Sequence, residues 1–187
     1  MRLFVAINLP LQLRQALHDA AAPLREAAPW ISWVPVDRLH ITVKFIGEQP
    51  DEIVGPLAAT LGETLAGHGV LDLHTRAIGG FPNFRRPTVV WLGVDPHPRL
   101  ELLHHDVEVA CERHGIDVEG RPFRPHLTLG RVPRRPDIET ARALADARRR
   151  ITFRREIRVE SVDLMRSELR PEGALHSVVA TGHLRTL

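Results

Sequence analysis

The chain has 187 residues, 43% hydrophobic and 26% charged, enough for one globular domain spanning 1–187 with a real core. Its formal charge of +2 gives no global polycationic signature, although Lys44 is the only lysine and the remaining basic residues are arginines that could set up a local field for phosphates. The single cysteine, Cys111, excludes an internal disulfide, and no apolar run approaches the roughly 20 residues of a membrane span.

Residues 2–7 read as an opening strand rather than a signal peptide, because a proline follows at once. Leu13, Leu17, Ala20, Ala21 and Leu24 recur at helical spacing, and Pro29 closes that segment. Trp30 and Trp33 lie on a short extended piece leading to a strand at His40–Ile46, where Ile41, Val43 and Phe45 share one face and His40, Thr42 and Lys44 the other. A helix from Pro50 repeats Ile53, Leu57, Leu61 and Leu65, and a strand follows over 70–78. The loop 79–87 carries Phe81, Phe84, Arg85 and Arg86, and reads either as a place to stack a base and grip a backbone or as a hairpin connection with a partly buried Phe.

Residues 88–94 form a strand whose Trp91 is expected in the core. Pro98–His114 is helical, with Cys111 on its apolar side and His104 and His105 on different faces, a poor metal site. A strand at His126–Val132 leads to a helix around Ile138, Ala141 and Leu144, with Arg148–Arg150 as a solvated helix end. Residues 151–165 read as one extended segment whose alternation slips between Val159 and Val162, suggesting a bulge. A type I turn at 170–173 and a final strand over 175–184 complete the chain.

The specific signal is a twin. His40-Ile41-Thr42-Val43 and His126-Leu127-Thr128-Leu129 repeat one pattern, His-apolar-Thr-apolar, each on an alternating strand. An imidazole and a hydroxyl two residues apart point the same way, about 6–7 Å apart along the backbone, within reach of one phosphate. Two imidazoles and two hydroxyls in one cleft suit acid–base cleavage of a phosphodiester, with one histidine taking a proton, the other giving one, and threonine hydroxyls donating to the non-bridging oxygens. No metal or cofactor is needed, and the residues alone leave open which histidine is acid. The element order describes a weak duplication into two α+β lobes about an approximate twofold axis, with the cleft between them.

With these motifs the chain resembles the two-histidine (2H) phosphoesterases, and among them the RNA 2',3'-cyclic phosphodiesterases, also described as 2'-5' RNA ligases. The resemblance covers nearly the whole chain: residues 2–7, 33–35 with 39–42, 87–93, 122–131, and Ser167 with Pro171-Glu172-Gly173. It implies an α+β fold of two pseudo-symmetric lobes, each an antiparallel sheet flanked by helices. It also implies opening of a terminal cyclic phosphate to a 2'-phosphate, with His40 as proton donor, His126 as proton acceptor and Thr42 and Thr128 on the phosphoryl oxygens. Arg131, Phe84, Arg86 and Trp33 are the candidate substrate contacts, although strand parity sets Arg131 opposite His126. The family often has a tyrosine near the start of the last strand, where this tyrosine-free chain has His176.

The expected partners are RNA ends bearing a 2',3'-cyclic phosphate, tRNA fragments among them, with no membrane and no obligate protein partner. A cytoplasmic monomer is the default. The alternatives are a phosphodiesterase acting on small cyclic nucleotides or 2'-5' oligonucleotides, and a non-catalytic binder of RNA ends.

Overall fold

The computed structural model describes residues 1–170 and 173–186. Its elements in chain order are β1 (Arg2–Asn8), α1 (Leu11–Ala20), α2 (Ala22–Ala27), β2 (Ser32–Trp33), β3 (His40–Glu48), α3 (Val54–Ala66), β4 (Leu71–Phe81), β5 (Val89–Val94), α4 (Pro98–Glu112), β6 (His126–Arg131), α5 (Ile138–Arg150), β7 (Glu156–Val159), β8 (Ser161–Arg170) and β9 (Gly173–His183). The expected turn at 170–173 includes Pro171 and Glu172, which lie outside the described residues.

The strands are antiparallel throughout, in the order β7-β4-β5-β6-β3-β1-β8-β9, with β2 paired to β6. Two half-sheets, β3-β1-β8-β9 and β7-β4-β5-β6, meet through one residue pair, Ile41 with Leu127. The fold is thus α+β, and the two lobes join between the strands that carry the twin motif. Helix α3 lies on β9 and against α4, α4 packs on β3, and α2 packs on α5. One apolar core draws on both halves, with Leu3, Val5 and Ile7 of β1, Leu57 of α3, Leu92 of β5, Leu103 of α4, Leu127 of β6 and Leu144 of α5 all buried.

Four local expectations need correction. In β3 the pairing slips between Val5 and Ala6, whose partners are Lys44 and Thr42, so Val43 is an extra residue in a bulge. The bulge reverses the parity beyond it. Lys44 is buried at 3% exposure, whereas Phe45 is turned out of the core at 64%. Lys44 is tolerated there because its Nζ donates to Glu108 Oε2 at 2.6 Å and to the Asp117 carbonyl at 2.8 Å. Second, residues 151–165 are not one bulged strand: β7 pairs with β4 in one half and β8 with β1 in the other, so the slip in alternation marks a crossing between lobes at Glu160. Third, β4 continues through Gly79 and Gly80 to Phe81, into what reads as loop. Fourth, the first helical segment divides at Ala21, because Pro23 begins a new first turn in α2.

Candidate active site

Each motif histidine opens its strand, and each is held in the same way. His40 Nδ1 lies 2.7 Å from the Arg38 carbonyl oxygen, and His126 Nδ1 lies 2.6 Å from that of Arg124, in each case two residues back. A carbonyl only accepts, so in both rings Nδ1 carries the hydrogen and Nε2 is the nitrogen left for proton transfer. Because Ile41 pairs with Leu127 in antiparallel register, His40 lies on the side of Thr128 and Thr42 on the side of His126. Neither threonine hydroxyl has a hydrogen-bond partner among the described residues. The arrangement is near-twofold, with two imidazoles set diagonally and a hydroxyl beside each.

The symmetry extends to the packing. His40 sits 5.1 Å from the Phe4 ring and 5.4 Å, edge-on, from His176, while Phe4 and His176 are 5.0 Å apart. His126 sits edge-on to Phe81 at 5.1 Å and lies 6.3 Å from Trp91. Trp91 is therefore not a core residue as expected. Its neighbours Val90, Leu92 and Val94 face the core, so parity turns Trp91 to the cleft side, half-buried, where it backs His126. Gly79 makes room for it: a Cβ there would fall 2.3 Å from the indole Cζ2 and Cη2 atoms.

Burial is the main influence on the titration of both histidines. It pushes His40 down to about 4, against the pull of the Arg38 carbonyl, and His176, Arg131 and His126 lower it further. His126 is also lowered, first by burial and then by Arg131, with the Arg124 carbonyl opposing. His176 is lowered by burial and by Arg38, with Asp37 opposing. Both motif rings are thus biased towards the neutral form.

Arg131 reaches the field of both histidines despite the parity of its strand. The pairing of β5 with β6 slips between Val90–Gly130 and Trp91–Thr128, so Leu129 is an extra residue and Arg131 returns to the face of His126. The other candidate contacts are placed differently. Trp33 donates from Nε1 to the Ala28 carbonyl and packs over Gly130, so it supports β6 from the side. Phe84 is partly buried against the core beneath Arg148, whose guanidinium lies 4.9 Å from its ring, and Arg86 is exposed. Phe4 and Trp91 are neighbours that reading of the sequence missed, whereas Phe81 was read only as part of a loop and His176 only as standing where the family often has a tyrosine. Parity within β1 and β5 would have found Phe4 and Trp91, but Phe81 and His176 depend on strand pairing. No group of three or more His, Cys, Asp or Glu side chains comes together to hold a metal among the described residues. No described helix is long and apolar enough to cross a membrane.

Comparison with known proteins identifies the family and the fold. The profile of the 2'-5' RNA ligase superfamily matches residues 13–171. An RNA 2',3'-cyclic phosphodiesterase of Thermus thermophilus is 34% identical, over 99% of this chain and 91% of that protein. One of Methanothermobacter thermautotrophicus is 31% identical, over 95% of each. A Thermus thermophilus crystal structure, 32% identical, superposes with a TM-score of 0.79 over 99% of this chain and 98% of that one. Escherichia coli LigT complexed with 3'-AMP, 25% identical, gives 0.75 over the same shares. The chain belongs to the 2'-5' RNA ligase superfamily of 2H phosphoesterases.

Proposed function

We propose that this protein is an RNA 2',3'-cyclic phosphodiesterase that opens a terminal cyclic phosphate to a 2'-phosphomonoester by two-histidine acid–base catalysis. The observation that carries the reading is the pair of His-x-Thr strands, each with its imidazole Nδ1 fixed on a backbone carbonyl and its Nε2 without a hydrogen-bond partner among the described residues. The names of the relatives support the substrate.

Water attacks phosphorus and gives its proton to His126 Nε2. The bond from phosphorus to O3' breaks, and the departing oxygen takes the proton from His40 Nε2. Thr42 and Thr128 donate to the non-bridging oxygens, with Arg131 adding positive charge. Burial keeps His40 neutral in the empty cleft, and the anionic phosphate restores its affinity for a proton. The assignment of acid to His40 and base to His126 follows the family, since the near-symmetric geometry permits either. The same displacement joins RNA ends through a 2'-5' linkage when a 5'-hydroxyl takes the place of water, O3' again leaving, and by microscopic reversibility the histidines exchange roles when that linkage is cleaved.

The test is an oligoribonucleotide ending in a 2',3'-cyclic phosphate, with the position of the product phosphate determined. A 2'-phosphate is expected. A 3'-phosphate would reverse the leaving group, and an unopened but tightly held RNA would make the protein a binder of RNA ends.

A further inference from the structure

Outside the histidine cleft the strongest unexplained feature is electrostatic. Three segments, residues 84–86, 131–135 and 148–150, carry eight arginines, all exposed, and no carboxylate. Eight positive charges in 11 positions exceed the net charge of +2 for the whole chain, so the rest of the surface is net acidic. Among the described residues only Arg149 of the eight has a carboxylate within ion-pair distance, that of Asp146. The arginines of β8 on the other lobe differ, since Arg166 and Arg170 are both paired with Glu168.

The three segments are neighbours in space. The Val132 amide donates to the Thr88 carbonyl at 2.9 Å, tying the strand after His126 to the loop that holds Phe84 and Arg86. Arg148, at the end of α5, lies over Phe84 at 4.9 Å, and Arg134 lies over Trp30 at 5.0 Å. Arg131 joins the patch to the cleft, since its charge acts on both His40 and His126. Arginines in the last turn of α5 suit the helix dipole, but that accounts for none of the others. A polyanion with planar bases fits both halves of the pattern, because guanidinium groups pair with phosphates and stack on rings.

We infer that this arginine arc on the second lobe is a track for the single-stranded RNA that precedes the terminal phosphate, making an oligonucleotide the preferred substrate over a mononucleotide. The inference rests on the proposed activity and narrows its substrate class.

The experiment measures kcat/KM against salt for a cyclic-phosphate-terminated oligoribonucleotide and for a 2',3'-cyclic mononucleotide, with wild type and an Arg134→Glu, Arg148→Glu variant whose fold is checked by circular dichroism. If the track holds about three phosphates, the wild-type log–log slope for the oligonucleotide is about −2, against no steeper than about −0.7 for the mononucleotide. The variant is expected to lower the ratio of the two kcat/KM values by about tenfold or more and to flatten the oligonucleotide slope by about 1. Equal slopes for the two substrates, or an unchanged ratio in the variant, would overturn the track.

If neither substrate is opened, the proposed activity fails, and fluorescence anisotropy of the labelled oligonucleotide decides the track separately. Salt-sensitive binding weakened by the variant would support the track, and its absence would overturn it. Equally tight binding of a polyglutamate peptide would overturn it in favour of an acidic protein partner.

Discussion

Replacing Lys44 by methionine tests how the two motif strands are tied together. The Lys44 and Glu108 side chains are 1% and 4% exposed, with Nζ 2.6 Å from Oε2. The ammonium also holds the Asp117 carbonyl, and Glu108 Oε2 accepts from the Glu119 amide at 3.1 Å, so β3 is anchored to the segment that leads into the second motif. Methionine fills most of the volume but leaves a buried carboxylate whose Oε1 already lacks a hydrogen bond among the described residues and lies 3.4 Å from His104 Nε2. Stranding one partner of a buried pair costs about 3–5 kcal/mol, whereas replacing both by apolar groups is often close to neutral. Lys44→Met should therefore lose about 3–5 kcal/mol in urea denaturation, and Lys44→Met with Glu108→Met should recover most of it. A single variant within about 1 kcal/mol of wild type, or a double variant no more stable than the single, would refute the reasoning.

Two further outcomes are expected. Gly79→Ala puts a methyl group against the Trp91 indole, which must move, so stability should fall by about 1–3 kcal/mol and turnover should fall with it as His126 loses its backing; unchanged urea melts and rates would contradict this. The pH profile follows from the two lowered histidines: the acid must be protonated, and its protonated fraction in the empty site falls as pH rises above a value near 4. Hence kcat/KM should climb as pH is lowered from 8 towards 6 and level off once His126 also gains a proton, below its ordinary 6.5. A kcat/KM that rises from pH 6 to 8 would contradict it.

The four motif residues were legible because each pair lies within three residues at the start of a strand, where alternation alone sets the face. What lay beyond a bulge was not. The extra residues at Val43 and Leu129 reverse parity for Lys44, Phe45 and Arg131, and a bulge is a property of pairing with β1 or β5 rather than of β3 or β6 alone. His176 meets His40 only because β9, β8, β1 and β3 lie side by side, an order that local periodicity does not encode. The crossing at Glu160 was visible as a break in alternation, but a bulge and a change of half-sheet leave the same trace in sequence.

The most direct measurement of the central claim is turnover of the cyclic-phosphate oligoribonucleotide by wild type, His40→Ala and His126→Ala, all in EDTA. Full wild-type activity is expected in the chelator, with a loss of at least about a hundredfold in each variant, the lower range for an acid or base placed at the reacting atoms. Near-wild-type turnover by either variant, or wild-type activity abolished by EDTA, would contradict it.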